Sequence, residues 1–152
     1  ETEKRRNKIM STRCQVKIVT AGVQSSKNEF TLYHHCDGYP SAMVPLIAAA
    51  YAPDWKHGRN GKVAAFVIAE DENGYELEQG HALHGDIEWY YILEVKSETH
   101  VGAIPEWFLR VYAVPYGALA MPDMRLVFKG PIAEAVKRAE TMEEDAAEKE
   151  SF

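Results

Sequence analysis

The residues best equipped for chemistry lie in one run, Tyr33-His34-His35-Cys36-Asp37-Gly38-Tyr39-Pro40. An imidazole beside a carboxylate is an acid–base unit, and the same pair is a common structural hydrogen bond. His35 falls on one strand face with Tyr33 and Asp37, whereas His34 falls with Phe30 and Leu32 and reads as a core histidine. Cys36 next to imidazoles has the residue types of a nucleophilic site. It also alternates with apolar residues, as Cys14 does, which fits small buried thiols. A second cluster is Gly80-His81-Ala82-Leu83-His84-Gly85-Asp86. The catalytic candidates are His35, Asp37 and His84. No metal is expected, and one would have only His81, His84 and Asp86 to use here, with His35 and Asp37 adding to a mixed nitrogen and oxygen set. No HExxH, paired CxxC, GxxxxGK[ST], GxGxxG or GxSxG pattern occurs. Gly58-Arg59-Asn60-Gly61-Lys62 is a basic glycine loop that reads as a surface turn.

The elements that must position these residues are legible as alternation. Arg13–Val19 places Cys14, Val16 and Ile18 on one face, and Glu29–Cys36 places Phe30, Leu32, His34 and Cys36 on one face. The two runs predict a hairpin across the polar stretch 21–28. Matching faces suggests a register with Ile18 opposite Leu32, Val16 opposite His34, Cys14 opposite Cys36 and Arg13 opposite Asp37, the last an opposite-charge pair. Asp37-Gly38 predicts a tight turn and Pro40 a helix start. Met43, Leu46, Ile47, Ala50 and Tyr51 follow at helical spacing, with Pro45 assigned to a first turn and Pro53 closing the helix. Residues 62–70 read as a helix or a strand, 71–74 as a turn, and 75–84 are ambiguous. Ile87, Trp89, Tyr91, Leu93 and Val95 predict a strand face, and 107–114 and 125–129 predict two more strands. Gly130-Pro131 precedes a last helix with Ile132, Ala135, Val136 and Ala139 as its buried stripe. The expected fold is α+β. It is a single domain with a mainly antiparallel sheet, an N-terminal hairpin, helices packed on the sheet and a C-terminal helix.

Composition bounds the function. The chain has 152 residues, 46% hydrophobic and 26% charged, with formal net charge −6. That is an ordinary globular balance with one domain's length. No apolar run is long enough to span a membrane. Two cysteines make no disulfide scaffold and fit a reducing cytoplasm. The acidic balance gives no footprint for a phosphate backbone, so direct nucleic-acid binding is not expected. Residues 10–139 read as the domain. Residues 140–152 read as an acidic, fraying tail, with Glu140, Glu143, Glu144, Asp145, Glu148 and Glu150 against Lys149. Residues 1–9 read as translated leader or a disordered arm. Lys4–Ile9 can be encoded by a string containing a ribosome-binding AGGAG ahead of the Met10 codon.

Aromatic residues are plentiful, and Trp89-Tyr90-Tyr91 and Trp107-Phe108 place rings on both faces of their strands. One face must be core. The other is free to stack a base, bury against a partner subunit, or lie under helices.

Met10-Ser11-Thr12-Arg13-Cys14, Leu32-Tyr33-His34-His35-Cys36-Asp37-Gly38-Tyr39-Pro40 and Gly85-Asp86-Ile87-Glu88-Trp89-Tyr90-Tyr91 together resemble small uncharacterised phage and prophage proteins. Those carry an (S/T)R-C/A start, an LYxHxDGYP segment and a GDIEYxY-like strand. The resemblance covers Ser11–Val95. It implies a cytoplasmic accessory protein acting on host machinery or defence, and it brings no catalytic residue. The leading expectation is a non-enzymatic binding protein without a cofactor and with scope to form a homo-oligomer. Its partner is a host protein or a nucleotide-like ligand, held by Arg13, His35, Asp37, Tyr39 and Trp89. The alternatives are a small hydrolase built on His35, Asp37, His81 and His84, with or without a metal, and a domain whose histidines only fill hydrogen bonds.

Overall fold

A computed structural model describes residues 12–21, 29–49, 75–78, 80, 82–96, 106–115 and 123–150. Their elements are β1 (Cys14–Ala21), β2 (Glu29–His34), α1 (Pro40–Ala49), β3 (Tyr75–Leu77), β4 (Trp89–Lys96), β5 (Glu106–Ala113), β6 (Arg125–Pro131) and α2 (Ile132–Glu150). The strands form one six-stranded sheet in the order β3-β2-β1-β4-β5-β6. Only β1 and β4 run parallel; every other pair is antiparallel. The α+β class, the N-terminal hairpin and the C-terminal helix therefore stand as expected.

Alternation along the strands creates two unlike faces. One carries Cys14, Val16, Ile18, Leu32, Tyr91, Leu93, Val95, Leu109 and Val111. Both α1 and α2 pack on it, through Met43, Val44 and Ile47 and through Ile132, Ala135, Ala139 and Met142. The other carries a smaller cluster of Tyr33, Ile87, Tyr90, Val114 and Met124, with Leu83, Ile92 and Tyr112 against it. Ile87 thus sits opposite the face expected for it, because β4 begins only at Trp89 and the preceding loop crosses beneath the sheet.

The hairpin register differs by two residues from the expected one. Cys14 pairs with His34, Val16 with Leu32 and Ile18 with Phe30. A two-residue slip keeps the faces, so periodicity alone does not discriminate between the registers. The deciding contact is at the following turn. Gly38 donates its N–H to the Thr12 carbonyl at 3.0 Å. A Cβ on Gly38 would stand 2.9 Å from both the Arg13 carbonyl carbon and the Cys14 Cβ. The left-handed residue of the turn is Asp37, with φ of 54°; Gly38 is required for close approach. The strand therefore ends at His34, which is buried, and Cys36 is exposed rather than opposite the buried Cys14.

Pro40 opens α1 as expected, while Pro45 lies inside the helix rather than in its first turn. There it removes one backbone donor on an exposed position. The α2 stripe is Ile132, Ala135, Ala139, Met142 and Ala146; Val136 is 44% exposed. The alanines let the helix lie close to the sheet, and Val136 falls one position round the turn. The segment 140–150 is helical. It continues α2, burying Met142 and Ala146. Among the described residues no helix is long and apolar enough to cross a membrane. The expectations for residues 1–11, 50–74 and 81 lie outside the described residues.

Candidate functional site: a tyrosine between two carboxylate-paired histidines

The site is built on the second sheet face, at the end where β1, β2 and β3 meet. Its centre is Tyr33, whose alternation on β2 sends it to the face opposite Leu32 and His34. The His84 ring stacks on the Tyr33 ring, with centroids 4.3 Å apart and planes at 21°. The His35 ring meets Tyr33 edge-on, at 4.7 Å and 82°. Each imidazole is held by a glutamate from the β3 region. His35 Nε2 contacts Glu76 Oε1 at 3.1 Å, and His84 Nε2 pairs with Glu78 Oε1. The Tyr33 hydroxyl donates to Asp86 Oδ2 at 2.7 Å, and Arg13 Nε lies 3.5 Å from the same oxygen.

The loop carrying His84 and Asp86 is fastened from below by Gln15. This side chain is fully buried on β1. Its Nε2 donates to the Ala82 carbonyl at 3.0 Å, and its Oε1 accepts the His84 N–H at 3.0 Å. A buried amide must use its donor and acceptor, and here both serve one loop. The β3 side is fastened by backbone, since Glu78 donates its N–H to the Thr31 carbonyl beyond the strand's last residue.

Burial, then the hydrogen bond to Asp86 and its negative charge, push the Tyr33 phenol well up from its ordinary value. It is a neutral donor, not a base. Deeper on the same face, burial and then Tyr112 and Glu29 push Tyr90 up to about 12. The outer rim is open: His35 and Glu76 are 53% and 66% exposed at their side chains.

The expected site residues divide. Arg13, His35, His84 and Asp86 converge around Tyr33. Arg13 pairs with Asp86, not with Asp37, because the shifted register and the positive φ of Asp37 take that carboxylate elsewhere. Asp37 and Tyr39 belong to the entry of α1. Burial, Asp37 and then Glu143 raise the Tyr39 phenol, and Tyr91 Oη donates to the Gly38 carbonyl at 2.6 Å. Trp89 packs against the main core on the helix-bearing face. His81 lies outside the described residues, and among these no group of three or more His, Cys, Asp or Glu is placed to hold a metal.

Gln15, Tyr33, Glu76 and Glu78 were missing from the expected site. The short alternation Tyr75-Glu76-Leu77-Glu78 was the available signal for an edge strand presenting two carboxylates to one face. No family model matches the chain, and neither a curated protein nor a solved structure matches it.

Proposed function

We propose that the chain is a non-enzymatic accessory protein of the phage and prophage type, acting in the cytoplasm, whose Tyr33 surface docks a host protein. The observation that carries this reading is the composition of that surface. The His35 and His84 rings, packed on the buried Tyr33 ring and themselves partly exposed, supply contact area that is already held in place. Around them, among the described residues, stand Glu76, Glu78 and Asp86 against the guanidinium of Arg13. At neutral pH that balance suits a cationic protein surface and opposes a phosphate ligand. Counter-defence is the role to which the phage-type resemblance points.

The hydrolase reading has less support. The imidazoles of His35 and His84 pair with Glu76 and Glu78 rather than with Asp37, a hydroxyl or a thiol. The Tyr33 phenol is held protonated, the wrong state for a nucleophile.

The test compares wild type with the double charge reversal Glu76→Lys/Glu78→Lys in pull-downs from host lysate, followed by reconstitution with the purified partner. The expected result is a stoichiometric partner whose binding weakens with salt and is lost in the reversal variant. Retention of that partner by the variant overturns the reading. So does ester or phosphodiester turnover that folded His84→Ala lacks.

A further inference from the structure

The same sheet face carries a second feature towards β6. Glu94 of β4, Phe108 and Arg110 of β5 and Lys129 of β6 surround a depression of about 360 Å³, floored by the backbone at Leu109 and Gly130. Its charges are arranged against the usual rule. Arg110 and Lys129 are direct partners in the antiparallel β5–β6 ladder. Like charges so placed repel, and natural sheets more often oppose unlike ones. Glu94 lies 4.0 Å from Arg110, while Lys129 has no ion-pair partner among the described residues. Phe108 is the direct neighbour of Glu94 on β4 and of Pro131 on β6, and it forms a half-buried apolar wall. The volume lies at the lower end of small-ligand sites.

We propose that this depression binds a small phosphate ester of nucleotide size, with the phosphate between Arg110 and Lys129 and the flat ring system against Phe108. The phosphate supplies the missing counter-charge. A guanidinium offers two parallel donors to phosphate oxygens, and the flexible ammonium closes from the other strand. Glu94 holds the guanidinium from behind and disfavours ligands reaching toward β4. The site rests on the reading of the chain as a binding protein but shares no residue with the Tyr33 surface. A titration of purified protein tests it without any protein partner, so its failure leaves the docking reading untouched.

The experiment is calorimetric titration of the full chain with adenosine monophosphate, adenosine and inorganic phosphate in parallel. The monophosphate is expected to bind at least tenfold tighter than either fragment. Lys129→Gln, at an exposed position where folding is not at stake, is expected to weaken it at least tenfold, and Arg110→Gln likewise. Phe108→Leu is expected to weaken the monophosphate and leave inorganic phosphate unchanged. Lys137→Gln, on the exposed side of α2, serves as the charge-matched control. No saturable binding at millimolar monophosphate overturns the proposal. Binding that Lys129→Gln and Lys137→Gln leave equal, or that inorganic phosphate matches, overturns it too.

Discussion

Gln15 occupies a position where a strand buried on both faces would ordinarily present an apolar side chain, and both ends of its amide are in use. Gln15→Leu keeps the volume and leaves the Ala82 carbonyl and the His84 N–H without their partner. The expected cost is about 1–3 kcal/mol, read as a lower urea midpoint, with faster amide exchange confined to the 82–86 loop. Gly38 makes a different demand. Gly38→Ala drives a methyl into the Arg13 backbone and Cys14, where nothing flexible can yield. The expected loss is about 1–3 kcal/mol, and Tyr91 loses its 2.6 Å partner as the turn shifts. At this scale the sequence was only half legible. His34 is recognisable as a core residue from its neighbours Phe30 and Leu32. Glu76, which holds His35, lies on a three-residue strand too short for its period to stand out, and Glu78, which pairs with His84, lies just past its end.

Helix α1 has no acidic residue in its first turn, and its entry is completed by α2 instead. Glu143 Oε1 accepts both the Ser41 N–H, at 2.9 Å, and the Ser41 hydroxyl, at 2.8 Å. A carboxylate there satisfies an orphan donor and meets the positive end of the helix. Glu143→Ala is expected to cost about 1 kcal/mol. Glu143→Gln should recover part of that loss in the same denaturation series, since the amide oxygen still accepts. One turn further along α2, Arg125 of β6 donates to the Ala146 carbonyl at 2.8 Å. The acidic run beyond 139 reads as solvated because charge dominates its composition. Met142 and Ala146 nonetheless continue the apolar spacing of Ala135 and Ala139. Strands β1, β2, β4 and β5 were legible because each alternates over six residues or more. The register was not, because slipping by two residues preserves every face.

For the molecule as a whole, the buried thiol and phenols of the described residues share one direction of shift. Burial, reinforced by the proximity of Cys36, raises the Cys14 thiol well above its ordinary 9.0, and the Tyr33 and Tyr90 phenols rise from an ordinary 10.0. Above those ordinary values the unfolded chain releases protons that the folded chain retains. The stability that these three groups contribute is therefore fully present below about pH 9 and is lost as pH climbs through the folded values. Urea midpoints are expected to hold level to about pH 9 and then fall, with Tyr33→Phe flattening the decline above pH 10. Thiol labelling provides a second check. Native protein should react rapidly at exposed Cys36, with Cys14 reacting only on unfolding.

The parallel junction of β1 with β4 joins residues 14–21 to residues 89–96. During synthesis the hairpin partner of β1 arrives early, yet its other edge has no ladder until β4 has left the ribosome. At about 5–20 residues per second that wait lasts roughly 4–15 s. Throughout it a nascent hairpin presents Val16 and Ile18 beside an open row of amides, the kind of edge on which neighbouring chains add strands. The yield of soluble protein should therefore depend on translation speed and chaperone supply far more steeply than the stability of the finished sheet would suggest.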